Sequence, residues 1–201
     1  MITIVNYGVG NVGALLNMFE FIEHDAIATA DPADISRATH LLLPGVGAFD
    51  GAMGPLARSG LIPHLESAVL GREVPILGVC LGMQLLGRRS DEGVMSGLGW
   101  IRADTVRMKP DPLKNTKVPF MGWAEISTRK DSKLFDQEKV HRFYFSHSYK
   151  MQCDDCSDVV ATYGTVISAV QHKNIFGVQF HPEKSHRYGM EVLKNFVERS
   201  S

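Results

Sequence analysis

A surplus of one charge, a paired cysteine framework and any long apolar run are all missing from this sequence of 201 residues. Twenty-one Lys and Arg stand against 22 Asp and Glu, a formal net charge of −1, so no global field draws the chain to nucleic acid or to an anionic membrane surface. Only a local basic patch could. The three cysteines, Cys80, Cys153 and Cys156, form an odd, sparse set with no secretory leader ahead of them. That excludes a disulfide scaffold and leads us to expect a reducing, cytoplasmic setting. No apolar stretch reaches the roughly 20 residues a bilayer span needs, and no repeat of roughly 20 to 50 residues is visible. What is present, 44% hydrophobic and 21% charged side chains, suits a single domain over residues 1–201 with a substantial core.

The first half alternates short apolar runs with longer amphipathic ones: Ile2 to Val5, a helix near Val12 to Glu23, Ala26 to Ala30, and Leu41 to Leu43 before Pro44. This is a βαβα rhythm. Helical segments are expected around Ala48 to Gly71, and Pro75 to Val79 is the continuous apolar run that a buried parallel strand requires. Leu81 to Arg89 reads as helix, and Lys109-Pro110-Asp111-Pro112 as a loop. After Trp100, strand-like alternation takes over at Phe143 to Phe145, Val159 to Tyr163, Val166 to Val170 and Ile175 to Phe180, and Gly189 to Arg199 closes as a helix. The expected fold class is α/β: a mainly parallel central sheet flanked by helices on both faces, with antiparallel strands added late.

Three motifs compete to explain the chemistry. Gly8-Val9-Gly10-Asn11-Val12-Gly13 follows the first strand and opens a helix, with Asp31 downstream, which is the dinucleotide-binding pattern on paper. The same glycines are also what any tight strand-to-helix turn needs. Gly78-Val79-Cys80-Leu81-Gly82 places a cysteine between small residues where an apolar strand gives way to a helix. That is a nucleophile elbow, whose following helix favours thiolate over thiol, or else an inert core cysteine between packing glycines. His181-Pro182-Glu183 directly follows a late strand. On extended chain a spacing of two puts both side chains on one side, so Glu183 can hold the ring of His181 toward the thiol; the alternative is a capped turn. His181-x-Glu183 with Cys153-x-x-Cys156 holds the ingredients of a zinc deaminase, but in reversed order and with Asp154-Asp155 suggesting a solvated loop. Nor does His181 with His186 make a helical H-E-x-x-H site, so no metal is expected.

Together, Leu43-Pro44-Gly45-Val46-Gly47-Ala48-Phe49, the elbow through Gln84 and Gly177 to Ser185 resemble the class I, triad-type glutamine amidotransferases, over essentially the whole chain. Tyr7 to Asn11 and Val118 to Trp123 narrow the resemblance to the glutaminase subunits that serve histidine biosynthesis. The resemblance implies that fold, no cofactor, and hydrolysis of glutamine to glutamate and ammonia through a thioester. The ammonia passes to a (β/α)8-barrel cyclase subunit in a heterodimer. By similarity Cys80 attacks the carboxamide, His181 shuttles the proton and Glu183 orients His181. Leu81 with Val46 and Gly47 would form the oxyanion hole. Gly45, Gln84, Glu92, His147, Ser148 and Tyr149 would hold glutamine. Asn11, Pro119, Met121, Trp123 and Lys184 would face the cyclase, with Trp123 as a gate.

The chain departs from that pattern at the gate, where Phe120 stands in place of His and Ala124 in place of Asn, at Ala14, and from His186 to Met190. These departures resemble a paralogous branch from surface-polysaccharide clusters, which feeds ammonia to an activated sugar. Other classes stay open at this point. They are a dinucleotide-dependent oxidoreductase on Gly8 to Gly13, a catalytically dead binding module, and a cysteine hydrolase of the α/β-hydrolase kind. The last is disfavoured because its acid precedes the histidine, whereas Glu183 follows His181.

Overall fold

The computed structural model of the protein describes residues 1–110, 117–129, 131–136 and 139–200. Strand β1 (Ile2–Val5) leads through helix α1 (Val12–Phe21) to β2 (Ala26–Thr29), and α2 (Pro32–Arg37) leads to β3 (His40–Gly45). Helices α3 (Phe49–Arg58) and α4 (Ile62–Glu66) and a π turn over Ser67–Gly71 precede β4 (Ile76–Cys80) and the short α5 (Leu81–Leu85). The remainder supplies β5 (Arg89–Ser90), β6 (Ala103–Arg107), β7 (Phe120–Thr128), β8 (His141–His147), β9 (Tyr149–Cys153), β10 (Val159–Tyr163), β11 (Val166–His172), β12 (Ile175–Val178) and α6 (His186–Arg199).

The large sheet runs β2-β1-β3-β4-β12-β11-β10-β7-β8. Its first five strands are parallel and the rest antiparallel; β12, which lies after Trp100 among the strands read as alternating, returns to the centre and pairs parallel with β4. A smaller sheet, β5-β6-β9, packs beside it. Neighbouring residues of the parallel strands point to opposite faces, so each strand needs apolar side chains throughout. Leu41, Leu43 and Ile76 enter one core with Phe49, Met53 and Leu56 of α3. Leu42, Leu77 and Val79 enter the other with Leu15 and Phe19 of α1 and Leu193 and Phe196 of α6. Among the described residues, no helix is long and apolar enough to cross a membrane.

Several local expectations change. Residues Pro32–Arg37, read as no element in the sequence, form α2, because Asp31 caps it with its carboxylate accepting from Ala33 N at 2.8 Å. That bond commits the acidic residue of the dinucleotide pattern to a helix end. Gly10 is needed because a Cβ there would come within 2.6 Å of Pro44 Cβ. Gly8, at φ +88°, and Gly10 are therefore explained by turning and packing, while a Cβ at Gly13 would meet nothing within 4 Å, so nothing requires a glycine there. The helix expected over Leu81 to Arg89 ends at Leu85; the chain is drawn off to pair β5 with β6, and Arg88 N donates to Ala103 O at 2.9 Å. Cys153 lies in β9 paired with Ala103 rather than in a loop, while Cys156 opens a 3-10 turn. Of the loop expected at Lys109 to Pro112, Asp111 and Pro112 lie outside the described residues.

The junction that carries the elbow is the tightest part of the fold. A Cβ on Gly82 would strike the carbonyl of Leu43, and one on Gly78 would come 2.7 Å from the carbonyl of Gly82. Backbone atoms in a buried sheet cannot give way cheaply. Gly82→Ala is expected to cost about 3 kcal/mol of stability, read from the urea midpoint, whereas the same change at Gly51, which meets nothing closer than 4.0 Å, should cost far less.

Candidate active site

Cys80 ends β4 with φ +54° and ψ −109°, a strained conformation for a residue with a side chain. The strain is imposed by the glycine contacts just described, and it turns the thiol off the strand into a cavity of about 360 Å³. Helix α5 holds only five residues, so its macrodipole is a smaller aid to a thiolate than a helix to Arg89 would have given. The larger influence is His181.

His181 follows β12 by three residues and is fixed at its backbone. Its N–H donates to Tyr144 O at 2.9 Å, and its carbonyl accepts from Ser185 Oγ at 2.6 Å, while Ser185 Oγ accepts from Tyr144 N at 3.0 Å. Ser185, given no role by the sequence reading, thus staples the catalytic loop to β8. His181 Nδ1 donates to Glu183 Oε1 at 2.9 Å, with both side chains buried. The pairing is made across a 3-10 turn, Pro182–Lys184, rather than along extended chain as the spacing suggested. With Nδ1 so engaged, the other ring nitrogen is turned to Cys80. Burial works against a charge on His181, but hydrogen bonds and charge from Cys80 and Glu183 outweigh it and raise the ring to about 9. Thiols ordinarily titrate near 8.5, so a base of this strength can take a thiol's proton.

The cavity wall gathers most of the residues singled out in the sequence: Val46, Gly47, Leu81, Gln84, Glu92, His147, Ser148 and Tyr149, together with Pro119, Met121 and Lys184. Ser146 also lines it and was missed, because it reads as an ordinary outward residue of β8. Gly45 does not line it; it lies beneath, where a Cβ would meet Gly82 N at 2.6 Å. Gln179, also overlooked, is fully buried and places its Nε2 3.8 Å from Cys80 Sγ. Glu92 Oε2 accepts from Phe49 N at 2.9 Å, which ties the carboxylate to the start of α3. His147 has both ring nitrogens committed within the protein, Nδ1 donating to Tyr149 O and Nε2 accepting from Tyr163 O–H, each at 2.7 Å. Burial lowers it to about 4, with the charge of His181 adding and the Tyr149 bond opposing. It is a neutral strut.

Beyond the mouth, Trp123 lies half-exposed on β7. It is stacked on His186 at 5.7 Å and 5° between planes, beside Tyr144 at 6.2 Å and with the Arg142 guanidinium 6.0 Å from its centroid. Lys184 Nζ sits 5.7 Å over Tyr144. Phe120, the residue that replaces His, stacks on Tyr163 at 5.1 Å, and Asn11 is exposed at the start of α1. Among the described residues, no group of three or more His, Cys, Asp or Glu could hold a metal ion.

A strained cysteine at the end of a parallel strand, served by a histidine and a carboxylate that come after it in the chain, defines a triad-type cysteine amide hydrolase built on a mixed α/β sheet. The chain belongs to the class-I glutamine amidotransferases, whose family model matches residues 5–200. It is 47% identical to an imidazole glycerol phosphate synthase subunit HisH 2 of Methanococcus maripaludis, over 100% of both chains. It is 45% identical to the protein of the same name in Pseudomonas aeruginosa, over 98% of this chain and 99% of that one. Among solved structures, one described as a glutamine amidotransferase superposes with a TM-score of 0.79 over 99% of this chain and 98% of its own, at 15% identity.

The raised His181 gives a pH prediction with a definite sign. In the resting site His181 is protonated below about pH 9 and neutral above it, burial being outweighed by hydrogen bonds and charge from Cys80 and Glu183. Glu183→Gln removes one of the groups that raise it, so the alkaline limb of kcat for glutamine should move to lower pH. At its maximum, kcat should fall by about a hundredfold or more, with KM little changed. A rise in KM at constant kcat would contradict an orienting role.

Proposed function

We propose that this chain is the glutaminase subunit of an imidazole glycerol phosphate synthase, cytoplasmic, and paired with a (β/α)8-barrel cyclase subunit as a heterodimer. The observation that carries the chemistry is the buried Cys80–His181–Glu183 arrangement at the cavity floor. Full-length identity to the HisH proteins supports the pathway.

Glutamine enters with its amide over Cys80. Glu92, whose Oε2 alone is engaged by Phe49, suits the α-ammonium by charge, with Gln84 beside it, while the segment His147, Ser148 and Tyr149 receives the α-carboxylate. His181 takes the Sγ proton and the sulfur attacks the amide carbon. The oxyanion is met by the N–H of Leu81 and by one from Val46 or Gly47. The C–N bond then breaks, His181 returns the proton to the departing nitrogen, and ammonia leaves behind a thioester. Water, deprotonated by the same ring, releases glutamate and restores the thiol. Gly47 sits at φ +85° and Val46 is 42% exposed, so this loop is built to swing an N–H in or out. One such donor is worth about 2.7 to 4 kcal/mol, enough for a docked partner to switch the enzyme on. Asn11, Pro119, Met121, Trp123 and Lys184 form the face toward that partner, with Trp123 gating the passage of ammonia.

A second reading draws on the gate itself. Phe120 packed on Tyr163 and His186 packed on Trp123 reshape the mouth that ammonia would leave by, in keeping with a partner that amidates an activated sugar.

Cys80→Ala should abolish glutamine-dependent synthesis by the partnered enzyme while synthesis from added ammonium at high pH survives; loss of both would remove the division of labour. Adding a histidine-pathway cyclase with its nucleotide bound should raise glutamine hydrolysis by about two orders of magnitude, the size of one oxyanion donor gained. No response would turn the assignment to the sugar-modifying branch.

A further inference from the structure

We infer that Gln179 is a catalytic residue in its own right: its side-chain amide donates a hydrogen bond to Cys80 Sγ and aims the sulfur into the cavity, and the Tyr149 carbonyl, acting through Gln84, fixes which way that amide points. The contact is Nε2 to Sγ at 3.8 Å, within the range for a sulfur acceptor, between two buried side chains. An amide has two ends, and only one of them favours a thiolate. What fixes the end is a backbone carbonyl, which can accept but not donate.

The carbonyl is that of Tyr149. It accepts from His147 Nδ1 at 2.7 Å and, at 3.5 Å, from Gln84 Nε2. His147 must therefore carry its proton on Nδ1, which leaves Nε2 as an acceptor for the Tyr163 hydroxyl at 2.7 Å. Gln84 likewise must turn its NH2 group inward, and the same nitrogen donates to Gln179 Oε1 at 2.9 Å. With its oxygen so occupied, Gln179 can present only its NH2 to the sulfur. Orientation thus passes from the Tyr149 carbonyl through Gln84 and Gln179 to Cys80, with His147 held by the same carbonyl on a separate branch. Reversing any one amide would set two acceptors or two donors face to face in a buried site, which is costly. Gln84 lines the cavity, and with its Nε2 committed to Tyr149 and Gln179 its Oε1 is the end left as an acceptor suited to the substrate's ammonium. Charge-assisted hydrogen bonds are the stronger kind, so the bond from Gln179 tightens when the sulfur loses its proton. His181 is released from being the sole stabiliser of the anion and can spend its proton on the leaving ammonia.

The inference rests on Cys80 being the nucleophile, and its test separates the two. The full-length chain is treated with iodoacetamide across about pH 6 to 10, and modification of Cys80 is followed by peptide mass spectrometry, which sets aside the exposed Cys156. The titratable groups facing the sulfur or lining its cavity are His181, Glu92, His147, Tyr149 and Lys184, with Glu183 behind His181. All are kept in every variant. Gln179→Met, of similar length but with no donor, should react about tenfold more slowly near pH 7, its profile displaced upward by about one pH unit and its alkaline plateau unchanged. Gln179→Glu should move at least as far. Profiles that coincide with the wild type in the folded variants, or a rate lowered equally at every pH, overturn the inference. If wild-type glutamine turnover survives complete blocking of Cys80, it is the nucleophile assignment that falls instead.

Discussion

Backbone packs on backbone where β3, β4 and α5 converge, and the place of the thiol follows from that contact. Gly45, Gly78 and Gly82 let three segments approach more closely than any side chain would allow, and the chain at Cys80 has no route through the gap except a left-handed turn. The strain is held by two apolar cores, one on each face of the sheet, so the sulfur's position is set by the whole α/β layer structure rather than by the residues around it. The groups around it, Gln179 included, meet that sulfur and set its final aim.

Two histidines meet it in opposite electrical states. His147 and His181 both line the cavity and both are buried, yet one is held neutral and the other is disposed to carry a proton. The difference lies in their partners. His147 is offered a carbonyl and a phenol, neither of which repays the loss of hydration by a charged ring. His181 is offered a carboxylate and a thiol. Burial alone would have lowered both, so residue type and depth say little until the hydrogen-bond partners are known.

The parallel strands of the first half were legible because strands buried on both faces leave continuous apolar runs, and the change to alternation after Trp100 marked most of the antiparallel strands, but not the return of β12 to pair parallel with β4. Helix α2 was not, since six residues carry no periodicity and the cap that makes them a helix, Asp31, also fits a nucleotide fingerprint. Cys80, His181 and Glu183 could be singled out because few chemistries need those three residue types beside glycines and a proline, and the fold brings the three together. Gln179 could not, nor could its bond to Gln84: the pairing joins residues 95 positions apart, and a glutamine at the end of a strand pattern carries no mark of what it touches. Cys153 looked exposed because Asp154 and Asp155 follow it, but its own pairing to Ala103 decides its place.

The chain contains two tryptophans, Trp100 and Trp123, and only the second stands on the face proposed to meet a partner. There its indole lies flat against the imidazole of His186. Imidazole in contact with indole quenches its emission, most strongly when protonated, so the protein carries a built-in optical reporter at the very surface where association would occur. Any subunit that pries the two rings apart announces its arrival in the fluorescence of the native sequence, with no dye attached.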